Sequence, residues 1–163
     1  MKKVKIIILL LMLSVVFSVF TSGIVFASSE RWVQKYEVNV PLYNDSFVQT
    51  SDGGYAIAGR TESGALLLKT DSYGNVEWNQ TYLGDGARSI IETSDGGYAL
   101  AGGTQLIKTD VYGNIEWDRT LLGGNRVNSL IQTSDGGYVA TGFSGDSQQG
   151  EENYFWLVKT DRL

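Results

Sequence analysis

The sequence contains no cysteine and no histidine, and Pro41 is its only proline. Without cysteine, an exported form must hold together with no disulfide. Without either residue, the common serine and cysteine triads and the usual zinc sites cannot be assembled. Cationic surface is scarce as well. The formal charge is −5, and it falls by a further three once Lys2, Lys3 and Lys5 are set aside with the leader described below. That balance argues against nucleic acid and anionic lipid surfaces as partners, because both require a basic patch. Glycine is plentiful, at 20 residues, beside 9 tyrosines and 4 tryptophans. Many glycines with almost no proline suit short strands joined by tight turns.

The first residues read as a targeting segment. Lys2, Lys3 and Lys5 precede an apolar run from Ile6 to Phe20, and Val25-Phe26-Ala27 offers small residues to a signal peptidase. Residues 1–27 are therefore expected to be a signal peptide, with a secreted mature chain from Ser28 to Leu163. An uncleaved N-terminal membrane anchor is the alternative, since about 20 apolar residues span a bilayer.

After the leader the chain repeats itself. Thr-Ser-Asp-Gly-Gly-Tyr occurs at Thr50–Tyr55, Thr93–Tyr98 and Thr133–Tyr138, with starts 43 and 40 residues apart. Fixed self-similarity at that period marks a repeat architecture. An apolar run leads into each box, and another leads out to Gly59, Gly102 or Gly142. Lys-Thr-Asp follows at Lys69, Lys108 and Lys159, and twice it continues into Tyr-Gly-Asn-x-Glu-Trp, ending at Trp78 and Trp117. Each unit reads as four short strands, the first unit as Phe47–Thr50, Tyr55–Ala58, Leu66–Leu68 and Val76–Tyr82. The units span roughly 46–82, 87–121 and 126–163. Arg31-Trp32-Val33-Gln34-Lys35-Tyr36 aligns with Glu77–Tyr82, so residues 31–40 are expected to form a last strand that closes the third unit.

Four antiparallel strands in about 40 residues describe a propeller blade. The pattern resembles the β-propeller repeats of secreted bacterial and archaeal surface proteins, over Arg31 to Asp161. Its Lys-Thr-Asp…Gly-Asn-x-x-Trp half is similar to quinoprotein dehydrogenase blades. Thr50-x-Asp52-x-Gly54 resembles the Asp-box of sialidase blades, although Ile57 stands where that motif has an aromatic. The resemblance implies an all-β fold of about three blades. Closed propellers typically have 4–8, so either two chains join head to tail as a homo-oligomer or the blades are part of a longer array.

Recurrence assigns the repeated residues to structure. Asp52, Asp95 and Asp135, with Gly53, Gly54, Gly96, Gly97, Gly136 and Gly137, are expected to cap and shape the first turn. Asp71 and Asp110 with Gly74, Asn75, Gly113 and Asn114 do the same for the second. Trp32, Trp78 and Trp117 with Tyr55, Tyr98 and Tyr138 are expected to pack between blades. No catalytic residue and no cofactor is assigned. In an antiparallel meander both repeated turns fall on one face. The variable connections Gly59–Lys69, Gly102–Lys108 and Gly142–Lys159, with the inter-blade stretches around Asp45, Asp85 and Asn125, fall on the other. Insertions gathered on one face often mark the binding face of a repeat protein. Within the longest, Asp146, Glu151 and Glu152 are the candidate cation ligands, and a solvated loop tip is the alternative reading. The arginines needed by a sialidase are scattered along the chain. The expected function is a non-enzymatic secreted or cell-surface binding module for a glycan or surface protein. A quinoprotein-like or glycosidase-like propeller enzyme is the alternative.

Overall fold

The computed structural model describes residues 32–36, 43–82, 84–145, 152 and 154–162. The leader lies outside the described residues, as do Asp146 and Glu151. The chain divides into two compact units, Met1–Val33 and Gln34–Leu163. Only Trp32 and Val33 of the first are described, and they lie in no strand. The second unit is all-β, with eleven strands among the described residues.

These strands form three antiparallel sheets, each a meander in chain order. The first contains β1 (Tyr43–Gln49), β2 (Tyr55–Thr61), β3 (Gly64–Thr70) and β4 (Val76–Tyr82). The second contains β5 (Ser89–Glu92), β6 (Tyr98–Gly102), β7 (Gln105–Thr109) and β8 (Ile115–Thr120). The third contains β9 (Arg126–Gln132), β10 (Tyr138–Ser144) and β11 (Tyr154–Thr160). β1 begins earlier than the apolar pattern suggested, because a bulge between Asn44 and Ser46 lets pairing continue to Tyr43. β3 is longer at both ends, since only Glu62 and Ser63 separate it from β2.

The two glycines of each repeated box serve different ends. Gly53, Gly96 and Gly136 adopt φ of 86°, 84° and 83°, the left-handed region that the turn demands. Gly54, Gly97 and Gly137 lack space instead. A Cβ there would stand 2.1, 2.1 and 2.2 Å from the carbonyl oxygens of Thr70, Thr109 and Thr160.

The alternation Tyr-Ala-Ile-Ala and Tyr-Ala-Leu-Ala explains how the sheets stack. In the second sheet Tyr98 and Leu100 pack toward the first, against Ala56, Ala58 and Leu67. Ala99 and Ala101 point the other way and join Leu106 against Tyr138 and Leu130 of the third sheet. Each internal interface thus sets large side chains of one sheet against small ones of its neighbour, as interdigitation requires. Leu67 and Leu106 are fully buried, and each stabilises the fold by about 2 kcal/mol.

The third sheet differs. It has three strands, so β11 is an edge among the described residues. Residues 32–36 form no strand, and 37–40 of the expected closing strand lie outside the described residues. Tyr36 instead donates its hydroxyl to the Gly74 carbonyl at 2.8 Å. Tyr82 makes the same bond to Gly113 at 2.8 Å. The segment before the first sheet therefore meets that sheet's second turn as β4 meets the turn of the next.

Candidate functional site

On the repeated-turn face each aspartate does two jobs. Asp52 Oδ1 accepts from the Gly54 amide at 2.9 Å and from the Thr50 hydroxyl. Its other oxygen receives Lys69 Nζ at 2.8 Å. Lys69 also donates to Glu77 Oε2 at 2.8 Å and to the Thr70 carbonyl at 2.9 Å. Three acceptors match the three protons of its ammonium, which is how a lysine only 3 % exposed keeps its charge. Lys108 repeats the arrangement with Asp95 at 3.0 Å, Glu116 at 2.7 Å and the Thr109 carbonyl at 2.8 Å. Among the described residues Lys159 pairs with Asp135 alone, at 2.6 Å, and its side chain is 48 % exposed.

Each buried lysine lies under an aromatic pair. Lys69 stands opposite Trp78, and Lys108 opposite Trp117, in the β3–β4 and β7–β8 registers. Trp78 meets Tyr98 edge-on, centroids 5.8 Å apart, and Trp117 meets Tyr138 at 5.6 Å. The lid is thus half from the sheet's own fourth strand and half from the next sheet. Trp32 is 43 % exposed, and Tyr55 is half-buried.

The electrostatics lock these clusters. The Lys69 bond, with those from Thr50 and Gly54, brings Asp52 down to about 2. At Asp95 burial acts upward, but donors on Thr93, Lys108 and Gly97 outweigh it and leave it at about 2. Burial acts to lower Lys69 and Lys108, and their carboxylate bonds more than reverse that. Burial pushes Tyr98 up to about 12. Carboxylates this acidic beside a protonated lysine have no proton to exchange near neutral pH.

The second turns close on themselves. Asp71 Oδ1 accepts the Tyr73 and Asn75 amides, and Asn75 donates from its side chain to Oδ2, all at 2.8 Å. Asp110 and Asn114 repeat the pattern, with Gly74 and Gly113 both at φ 81°. The sheets are tied across this face as well. Glu92 accepts from the Ser51 amide and hydroxyl, both at 2.8 Å, and Gln132 accepts from the Ser94 amide at 2.8 Å. A cleft of about 270 Å³ between the second and third sheets is lined by Asp95, Lys108, Glu116, Trp117, Asp135 and Tyr138. Lys108 pairs there with Asp95 and Glu116, and Asp135 pairs with Lys159, while Arg162 also lines the cleft.

The opposite face gathers residues from positions where the copies differ. A cleft of about 540 Å³ lies among the end of β2, the link before β5, the β6–β7 turn and the start of β9. Arg60, Arg88 and Arg126 line it, with Thr61, Asp85 and Asn125. These arginines looked scattered in the sequence, because each comes from a different unit and from a different place within it. Of the candidate cation ligands, Glu152 is exposed and accepts a hydrogen bond from the Tyr154 hydroxyl. Among the described residues no cluster of three carboxylates could hold a metal.

No protein-family model and no curated protein matches this chain. Among solved structures, one described as a protein of unknown function from Bacteroides caccae is similar, with a TM-score of 0.55 at 14% identity. The likeness covers 80% of this chain and 45% of that one, so this chain spans less than half the length of its structural neighbour. At that identity the likeness is one of fold.

Proposed function

We propose that the chain is a secreted or cell-surface, non-enzymatic binding module of β-propeller type, its blades the three sheets, with the variable-turn face as its binding face. The contrast between the two faces carries this reading. On the repeated-turn face the three box lysines and the aspartates Asp52, Asp95, Asp135, Asp71 and Asp110 are joined to one another or to backbone and neighbouring side chains, which is the behaviour of a scaffold. On the other face the non-repeated residues surround an open polar cleft of about 540 Å³, a size typical of small-ligand sites. A glycan array probed with the folded chain tests it, using heat-denatured protein as the control. Selective retention of a saccharide supports the reading. No retention, or turnover of a chromogenic glycoside, overturns it.

A second copy is the proposed partner that continues the array. Ile131 (55 % exposed), Leu157 (72 %) and Phe155 (100 %) occupy the third sheet, on the face that the first two sheets turn toward a neighbour. Beside them β11 offers an edge that is unpaired among the described residues, and such an edge is prone to strand addition. The N-terminal segment of a second copy, whose Tyr36 already sits on its own first sheet, fits that edge as the missing fourth strand. Light scattering is expected to show a dimer that Leu157→Lys converts to a folded monomer. A monomeric parent protein would dismiss the pairing.

A further inference from the structure

We propose that the cleft formed by Arg60, Arg88 and Arg126 binds a carboxylate-bearing, hydroxyl-rich small molecule of the uronic-acid class. The inference rests on the variable-turn face being the binding face, and it names what that face takes.

Three guanidinium groups and one carboxylate, Asp85, line the cleft, on a chain whose formal charge is −5. Cations collected against the overall balance of a protein form a local attractor for an anion. Among the described residues no carboxylate lies within ion-pair distance of Arg88 or Arg126. Arginine presents a planar fork that fits a carboxylate with two parallel hydrogen bonds.

Arg126 and Arg60 are held in place before any ligand arrives. The Arg126 guanidinium lies 4.7 Å from the centroid of the Phe143 ring, a cation–π distance. The stem of Arg60 runs across Gly86, where a Cβ would come within 2.4 Å of its Cγ. Gly86 also has φ 83°, so two separate constraints keep that position free of a side chain. Backbone bonds fasten the rim to all three sheets. They run from Ala87 N to Gly59 O at 3.3 Å, Arg88 N to Ala101 O at 2.8 Å, and Val127 N to Gly103 O at 2.7 Å. Such anchoring lowers the ordering cost of binding.

Size and lining define the ligand further. The cleft is larger than a bare oxyanion needs, and apart from two glycines every lining residue is polar or charged. Thr61, Asp85 and Asn125 supply hydroxyl, carboxylate and amide groups of the kind that hydrogen-bond sugar hydroxyls. With no aromatic or aliphatic wall among the described residues, the cleft suits a hydrophilic acid and not an apolar one.

Calorimetric titration of the full chain with glucuronate, glucose and inorganic phosphate at low ionic strength tests the assignment. Glucuronate is expected to bind at least about tenfold more tightly than glucose. Arg88→Gln and Arg126→Gln should each weaken glucuronate by about tenfold or more with the melting temperature unchanged, and Arg88→Lys should weaken it less. Lys159→Gln, an exposed cation of the repeated-turn face, should leave binding untouched. Phosphate binding as tight as glucuronate, equal affinity for glucose, or indifference to Arg88→Gln in a folded variant would each overturn the proposal. Failure of glucuronate alongside retention of a neutral sugar on the array removes the anion site and leaves the binding-module reading standing. Failure of every saccharide removes both.

Discussion

Lys108 and Lys159 stand in identical Lys-Thr-Asp boxes, each facing the aspartate of its own first turn. Lys108 is buried beneath Trp117 and Tyr138 and holds two carboxylates, whereas Lys159 is half-exposed and holds one. Nothing within the box accounts for the difference. The second carboxylate and the tryptophan come from the fourth strand, and the tyrosine comes from the following sheet. A repeat unit of this chain is therefore complete only when its successor is present. The glycine-bearing turn, by contrast, is complete in every copy.

The largest effect should fall where the copies agree. Gly97→Val and Gly137→Val both drive a Cβ into a carbonyl oxygen, so each should cost more than about 3 kcal/mol in urea unfolding. A mild Gly137→Val would mean that the third turn is looser than its geometry. Next comes the pair that should differ. Lys108→Met leaves two half-exposed carboxylates without their cation and should cost about 2 kcal/mol, below the value for a fully buried pair. Lys159→Met should change stability by less than about 0.5 kcal/mol. Equal losses would erase the distinction drawn above.

Acid should sharpen the contrast. Asp52 and Asp95 are depressed to about 2 from an ordinary value of 3.8. Their contribution is thus complete above pH 3.8 and is lost as the pH falls toward 2. Lys159 is the largest cause of the downward shift at Asp135, which is exposed, so salt should screen that share. Melting curves from pH 5 to 2 in 0.5 M salt are expected to keep the acid sensitivity of the first two clusters. Lys108→Met should reduce it, and Lys159→Met should not. An effect smaller than that of Lys108→Met is expected at the tyrosine hydroxyls. Tyr82→Phe removes a buried bond and should cost about 1 kcal/mol, and Tyr36→Phe, which is only partly buried, should cost less.

The strands, the turns, the capping by aspartate and the positive φ of a box glycine were legible because they are local and recur three times. The pairing of that aspartate with lysine and the lack of space at the second glycine depend on contacts outside the box. The lysine clusters were written less plainly. Lys69–Glu77 and Lys108–Glu116 share a spacing of eight residues, but the distance back to the aspartate changes with the length of the variable turn. A lysine in a polar box also gives no sign of burial until a following sheet covers it. Of the arginine cleft, the links around Asp85 and Asn125 were legible as part of the variable face, but nothing in the pattern brought the arginines together. Arg60 is the next-to-last residue of a second strand, Arg88 precedes a first strand and Arg126 begins one, so aligning the repeats separates what folding gathers.

The inner strands carry one more consequence. The Ile90 amide donates to the Ser46 hydroxyl at 3.3 Å, and the Leu130 amide donates to the Ser89 hydroxyl at 3.0 Å. The second and third sheets thus each read their predecessor through one serine, and Ser129, the next in line, is exposed. The relation has a direction and does not depend on how many sheets came before. A gene built this way can lengthen by copying one unit in frame, since the new sheet arrives already carrying both halves of the joint.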